Sequence, residues 1–382
     1  MDETRVDRLI DWMLDGAPPS ANAWSIIGGI CDGLVEAGGQ IDRMSLFIYT
    51  LHPNFAGRRF RWSPEEGVDM AEARPGVFTS DLYFINPLPE VIETRKSIRR
   101  KLADPDCPHD YKIVDELLEQ GFTDYIVMPL PFTTDETHAV SWSTKAEGGF
   151  SEAELSALER VRRPLARLTE IYMLRLNAAT LLSAYVGRNS GDRILKGAVH
   201  RGDGEEIQAV ILFVDLKNFT SRSNQKPGDE LVRELNAAFD SLVPEVEQRD
   251  GEVLKFLGDG FFAIFPFDGE AQQKRQTDNA VAAVHSGEQK LRENGDAGGF
   301  AIRSAVHAGR FHYGNIGGAS RNDFTAIGPA VNYTARLLSA ATDLGSDRVI
   351  SQSAVEFADA ETWVAGEQEF KGFDGRQMVF GF

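Results

Sequence analysis

The sequence is short of cysteine, of long apolar runs and of positive charge, and each shortage excludes something. Its 382 residues hold two cysteines, Cys31 and Cys107. That is too few for a disulfide framework and agrees with a reducing compartment. The longest strongly apolar stretches, Ala209–Val214 and Phe261–Phe265, fall far short of the roughly 20 residues a membrane helix needs. The start, MDETRVDRLIDW, is charged and has no apolar run leading to a cleavage site, so no signal peptide is expected. A cytoplasmic protein with no membrane partner is the expectation. Basic residues number 40 against 58 acidic ones, a net charge of −18. Duplex nucleic acid or an anionic membrane would call for a concentrated basic face, so no nucleic-acid partner is expected. The acidity is evenly spread: residues 201–382 carry 18 basic and 28 acidic side chains, net −10, which leaves −8 for residues 1–200.

What is present is apolar periodicity. From Ala21 to about Gly38 the residues Trp24, Ile27, Ile30, Cys31, Leu34 and Val35 recur at helical spacing. Met44–Leu51 and Arg58–Trp62 read as strands joined through the Pro53–Gly57 turn. Charged helical stretches over Pro89–Leu102 and Lys112–Gln120 come next, then strands over Asp124–Leu130 and His138–Ser143. Mixed helices and antiparallel strands make residues 1–150 a small α+β domain, assigned a regulatory role.

Residues 151–200 read differently. Ser151 and Glu154 form a capping box. Behind it Leu158, Val161, Leu165, Leu168 and Tyr172 alternate by three and four, in a register reaching Leu182 and interrupted by Pro164 and Arg175. A helix packed on its own domain is one reading; a parallel dimerising linker is the other, and what lies on either side of residues 151–200 favours it. From residue 201 to 382 a second domain follows. Its order is strand (Gln208–Val214), helix (Asp229–Arg249), two strands (Val253–Leu257, Phe261–Phe265), helix (Asp278–Arg292), strand (Phe300–His307), a further strand near Arg310–Ile316 and a helix over Ala330–Leu344. The βαββαβ order predicts a ferredoxin-like sheet.

Three segments of this second domain carry chemistry. In the first, an apolar strand runs into Asp215 and then into Leu216, Lys217, Asn218, Phe219 and Thr220. A carboxylate beside free backbone N–H groups suits a metal-bound phosphate, although a lone Asp at a strand end is often structural. In the second, Lys255 precedes a Gly258-Asp259-Gly260 hairpin tip. Asp259 is explained as a turn residue on its own, but the strand order sets it beside Asp215, and two adjacent carboxylates call for a cation. In the third, Asn332 and Arg336 share one face of an otherwise apolar helix.

These segments, FVDLKNFT, LKFLGDG, DFTAIGPAVNYTAR and IRSAVHAGR, resemble the class III nucleotidyl cyclases, in particular bacterial adenylate cyclases with a Lys/Thr base-recognition pair. The resemblance covers about residues 205–382. It implies a homodimer that converts ATP to 3′,5′-cyclic AMP and pyrophosphate at its interface. Asp215 and Asp259, with the carbonyl of Leu216, would hold two Mg²⁺ or Mn²⁺ ions. Lys255 and Thr325 would read adenine. Asn332 would orient the ribose, and Arg336 would offset charge in the transition state. Arg303 matches a triphosphate-binding arginine, and Lys371 in EFKGF a second phosphate cation. Guanylate cyclases usually carry Glu and Cys where this chain has Lys255 and Thr325. A guanylate cyclase and a non-catalytic nucleotide-binding dimerisation module remain the alternatives.

In the first half, Gly121–Leu130 followed by a strand and then Gly148–Leu155 resembles the closing part of GAF-like sensor domains. The resemblance implies an unknown small-molecule signal at that domain. Phe47, Tyr49, Trp62, Tyr125 and Trp142 are either lining for a pocket or core. His307 and His312 have no partners at metal-ligand spacing and read as packing residues.

Overall fold

Alternation along the strands decides what each sheet covers. The computed structural model describes residues 1–19 and 22–382, which divide into two units, Met1–Leu181 and Leu182–Phe382. Both are mixed α+β.

The first unit opens with helices α1 (Glu3–Leu14) and α2 (Ala23–Glu36), then strands β1 (Arg43–Tyr49), β2 (Gly57–Ser63) and β3 (Gly67–Ala73). Short helices α3 (Asp81–Phe84) and α4 (Leu88–Thr94) lead to β4 (Ile98–Arg100), α5 (Lys112–Glu119), β5 (Asp124–Pro131) and β6 (Thr137–Thr144). The strands form one antiparallel sheet in the order β3-β2-β1-β6-β5-β4. One face, with Met44, Leu46, Phe60, Trp62, Ile126 and Trp142, packs into the main core with Val6, Ile30 and Leu34 of α1 and α2. The other face carries Tyr125, Val127, Ala139 and Ile98 against Val91 of α4 and Val114 and Leu117 of α5.

Several expectations change here. The first residue of the expected helix over Ala21–Gly38, Ala21, lies outside the described residues. The helix begins at Ala23, where the Asn22 side chain accepts from the Ser25 N–H at 3.0 Å. The stretch Pro89–Leu102 is not one helix: α4 stops at Arg95, whose φ of 54° is left-handed, and the chain enters β4. Trp62 and Trp142 sit in the main core, whereas Tyr125 belongs to the opposite face, so those aromatics do not line one pocket.

Helix α6 (Glu152–Val186) runs for 35 residues and tolerates Pro164 inside it. Its capping box forms as read: the Ser151 N–H and hydroxyl donate to the Glu154 carboxylate at 2.8 and 2.7 Å, and the Glu154 N–H returns to Ser151 Oγ at 3.3 Å. The apolar register proposed to join two chains is occupied at home. Leu158, Val161, Leu165 and Leu168 are buried in the main core of the first unit, and Tyr172 packs against it. The helix leaves a different stripe bare: Ile171, Leu174, Ala178 and Leu181 are all exposed and spaced three, four and three apart.

The second unit holds α7 (Arg188–Leu195), β7 (Gly204–Leu216), α8 (Phe219–Ser223), α9 (Gly228–Glu247), β8 (Glu252–Leu257), β9 (Gly260–Pro266), α10 (Glu270–Glu293) and β10 (Ile302–Gly317). It closes with β11 (Asn322–Ile327), α11 (Pro329–Asp343), β12 (Arg348–Ser351), α12 (Gln352–Val355), β13 (Trp363–Glu369) and β14 (Arg376–Gly381). The sheet order is β13-β14-β12-β10-β7-β9-β8, with β11 paired to β10. Strands β7 to β10 therefore give the expected ferredoxin-like arrangement, the first strand flanked by the fourth and the third. The two strands expected over Phe300–His307 and Arg310–Ile316 are one strand of 16 residues, because β7 pairs without a break along Ile302–Gly314 and β11 pairs with the end, His312–Gly317. Val210, Leu212 and Val214 of β7 face α9 and α10 through Leu242, Val246, Val281 and Val284.

Candidate active site

Register brings the first group together. On β7, Asp215 stands opposite Arg303 of β10 on one side and Gly260 of β9 on the other. The Leu216 N–H donates to the Asp259 carbonyl at 3.1 Å, which ties the hairpin tip to the end of β7. Gly260 is required for this approach, since a Cβ there would lie 2.2 Å from the Val214 carbonyl oxygen. Gly258, at φ 67°, makes the preceding turn.

The electrostatics follow from that geometry. Asp215 has its carboxyl held above the usual range, first by burial and then by the Asp259 charge, with Arg303 pulling the other way. A half-buried carboxylate facing a second one is under-compensated by one arginine, and this donor set suits a divalent cation. Arg303 is itself positioned by its Nη1 donating to Thr342 Oγ1 at 2.7 Å. Among the described residues no three His, Cys, Asp or Glu side chains cluster, so a metal held by the two carboxylates would be completed by other oxygens, such as the Leu216 carbonyl.

The loop after β7 is less free than expected. The Leu216 N–H is taken by Asp259, and the Lys217 N–H donates to Ala301 at 2.7 Å, so neither is available to a phosphate. The Lys217 ammonium donates to both Asp347 carboxylate oxygens at 2.7 and 2.9 Å. Asn218 turns the chain at φ 64°, and Phe219 and Thr220 open α8, where backbone donors lack partners within their own helix.

Lys255 on β8 and Thr325 on β11 form a second group. The Lys255 ammonium donates to the carboxylate of Asp323, two residues before Thr325 on the same strand. Thr325 is half-buried and Lys255 exposed. Asp323 was not singled out from the sequence. Its signal was available only as the i−2 neighbour of Thr325, on the same strand face.

Asn332 and Arg336 lie together on α11, but not in an apolar setting. The helix buries Tyr333, Thr334 and Leu337 and exposes Asn332, Arg336 and Ser339. Among the described residues neither the Asn332 amide nor the Arg336 guanidinium has a hydrogen-bond or ion-pair partner. Lys371 is exposed on the β13–β14 turn, next to Phe370, whose ring lies 5.0 Å from that of Tyr333. His307 stacks on Tyr333 at 4.3 Å and its Nδ1 lies 2.8 Å from Ser351 Oγ, an ordinary packing role.

Residues 204–380 match the family model of the adenylate and guanylate cyclase catalytic domain. That segment is a class III nucleotidyl cyclase domain. An uncharacterized protein of Mycobacterium tuberculosis is 32% identical over 168 residues, which is 43% of this chain and 30% of that protein. One from Mycobacterium bovis is 29% identical over 221 residues, 57% of this chain and 38% of that protein. The chain thus spans well under half the length of these curated relatives. Among solved structures, a bacterial light-regulated adenylyl cyclase shares 20% identity at a TM-score of 0.47, over 57% of this chain and 63% of that one. An adenylyl cyclase of P. aeruginosa shares 24% at 0.42, over 46% and 94%, and a guanylyl cyclase 24% at 0.39, over 46% and 92%. Cyclase domains of this class depend on Mg²⁺ or Mn²⁺, and among the described residues no helix is long and apolar enough to cross a membrane.

Proposed function

We propose that the cyclase domain is an adenylate cyclase, converting ATP to 3′,5′-cyclic AMP and pyrophosphate at the interface of a homodimer. The observation that carries this reading is the register that sets Asp215 between Arg303 and the Asp259 hairpin. Asp215 and Asp259, with the Leu216 carbonyl, would hold two Mg²⁺ ions; bound there, the metal supplies acidity to the ribose 3′-hydroxyl and neutralises the triphosphate.

The chain's own residues divide the remaining work. Arg303, held by Thr342 beside the carboxylate pair, binds the triphosphate. Lys371, on its exposed turn, adds a second phosphate cation. Asn218, Phe219 and Thr220 offer backbone N–H groups at the start of α8. Lys255 donates and Thr325 exchanges hydrogen bonds with the adenine edge, and the Asp323 carboxylate holds the lysine in place. Asn332 orients the ribose and Arg336 stabilises charge growing at the α-phosphate. Both are exposed on α11, where substrate and a second subunit can reach them. The exposed Ile171–Leu181 stripe on α6 supplies an apolar seam for that second copy.

Residues 1–150 are read as the regulatory domain, 151–200 as the connecting helical segment and 201–382 as the catalytic domain. The deciding experiment is turnover with Mg²⁺ or Mn²⁺ and ATP or GTP, in wild type and Asp259→Ala. Cyclic AMP formed from ATP and lost in the variant supports the reading. Turnover of GTP alone moves it to a guanylate cyclase, and cyclic AMP formation that survives Asp259→Ala overturns the metal assignment.

A further inference from the structure

The strongest unused feature lies in the first unit, on the sheet face opposite its main core. Sheet alternation sets Arg43 and Ser45 of β1, Arg59 and Arg61 of β2, Tyr125 of β5 and Ser143 of β6 on that one face. Ser45 stands opposite Arg61 on one side and Ser141 on the other, and Arg43 opposite Ser143.

Three facts about this face are unusual. First, among the described residues Arg43 has neither a carboxylate within ion-pair range nor a hydrogen-bond acceptor, although it is half-buried. Burial lowers its affinity for its own proton, and the charges of Arg61 and Arg59 lower it further. Second, Ser45 is 1% exposed and, among the described residues, its hydroxyl has no hydrogen-bond partner. A buried hydroxyl without a hydrogen bond is costly, and so is a half-buried cation without a counterion. The Arg59 Nε is likewise buried without an acceptor. Third, Arg59 and Arg61 share one carboxylate, Asp69, at 3.5 and 3.3 Å, and Arg43 has no contact with it. Glu66 adds an exposed and distant contact to Arg61 at 3.6 Å, and Glu116 lies near enough to bear on Arg43.

We propose that Arg43, Arg59 and Arg61, with the Ser45 hydroxyl, form a binding site for a phosphate dianion, either inorganic phosphate or a phosphomonoester. Asp69 and the exposed Glu66 offset two of the three arginines, and Glu116 is paired with Lys112 at 3.4 Å, so a surplus of about one positive charge stays on this face, centred on Arg43, for a phosphate to take up. Guanidinium forks match phosphate oxygens in pairs, and Ser45 supplies a donor to a third. The site is independent of the cyclase reading, because every residue in it belongs to the first unit.

Isothermal titration calorimetry on the full chain tests it, with inorganic phosphate and glycerol 3-phosphate as separate probes and sodium chloride matched for ionic strength. Wild type is expected to bind at least one of the two, and the arms show which. Arg43→Gln is expected to weaken that binding by about tenfold or more, since hydrogen bonds to charged groups are worth about 1.5–3 kcal/mol. Arg43→Lys, which keeps the charge and loses the fork, should fall between, and Ser45→Ala should weaken binding with the arginines intact. If Arg43→Gln does not fold, the Arg43→Lys and Ser45→Ala affinities decide. Equal affinity in wild type and the folded variants assigns any phosphate uptake to the other unit and overturns the proposal, as does no binding by wild type at millimolar concentration.

Discussion

The ammonium of Lys255 on β8 is paired with the carboxylate of Asp323 on β11, and Asp323 sits two residues before Thr325 on the same strand. One ion pair therefore fixes the spacing between the two residues read as the base-recognition pair. Lysine is a flexible point charge on a long stem. Without a tether its position relative to Thr325 would be averaged over many rotamers, and a site that reads a base edge would lose discrimination.

Asp323→Asn tests that tether. Both partners are substantially exposed, at 43% and 52%, so the pair contributes little to stability and the melting temperature should stay within about a degree or two. The expected effect lies in selectivity. The ratio of kcat/KM for ATP over GTP should fall by about two- to fivefold, carried mainly by KM for ATP. Steady-state kinetics with both nucleotides measures it, and an unchanged ratio removes Asp323 from the recognition of the base.

Asp215→Asn separates charge repulsion from metal binding. The Asp215 carboxyl is held above its ordinary range by burial and by Asp259. A carboxyl with a raised folded-state pKa favours the folded state at low pH, and that advantage is lost as pH rises through the folded value. At neutral pH the metal-free wild type thus carries an unrelieved repulsion, and Asp215→Asn should melt higher than wild type without metal. Added Mn²⁺ should raise the wild-type melting temperature and leave the variant unmoved. Turnover in the variant should drop by about a hundredfold or more. Thermal melts with and without Mn²⁺, over a pH series, give both signs in one experiment.

The cyclase domain was far more legible in the sequence than the unit before it, and the reason is physical. Val210–Val214 and Phe261–Phe265 are continuous apolar runs because their strands are buried on both faces, and the glycines around Asp259 are imposed by backbone approach. Such constraints leave a dense signature. Helix α1 left only one short apolar repeat, with Val6, Leu9 and Met13 buried, and β3 left none, being an edge strand with no fully buried residue. The apolar register of α6 was visible, but periodicity alone does not say whether a stripe faces its own domain or another chain. The arginine cluster on β1 and β2 was equally hidden, since Arg43 and Arg61 meet only through strand pairing.

His138 gives the first unit a pH dependence. It is 2% exposed on β6, its Nδ1 accepts from the Tyr49 N–H at 3.2 Å, and among the described residues its Nε2 has no hydrogen-bond partner. Glu136 lies 3.9 Å away, and the Glu170 carboxylate also bears on it. Burial outweighs both and pushes the imidazole down to about 4. The unfolded chain, with an ordinary value of 6.5, then takes the proton first as pH falls. Stability is full above pH 6.5 and declines between pH 6.5 and 4, by an amount on the order of 3 kcal/mol for this one group. Denaturant melts followed by tryptophan fluorescence should show that decline, and His138→Phe should flatten part of it. A variant whose pH dependence matches wild type places the titration elsewhere, with His307, also pushed down to about 4, as the next group to test.

The two stripes of α6 make opposite predictions and so test which one faces a second chain. Leu165 is 1% exposed within the main core of the first unit, whereas Leu174 is 56% exposed on the bare stripe with Ile171 and Leu181. Leu165→Ala should cost about 2–5 kcal/mol of unfolding free energy, the usual price of emptying a well-packed site. Leu174→Glu removes little packing within the chain, so the melting temperature of a dilute, monomeric sample should move far less than for Leu165→Ala. In a dimer joined along this stripe, the same change sets two carboxylates against each other at a d position, where an apolar pair is required. Sedimentation velocity should then find wild type as a dimer and Leu174→Glu as a monomer, with cyclic AMP production falling in parallel because each site lacks its second subunit. A Leu174→Glu protein that remains dimeric would rule this stripe out as the seam.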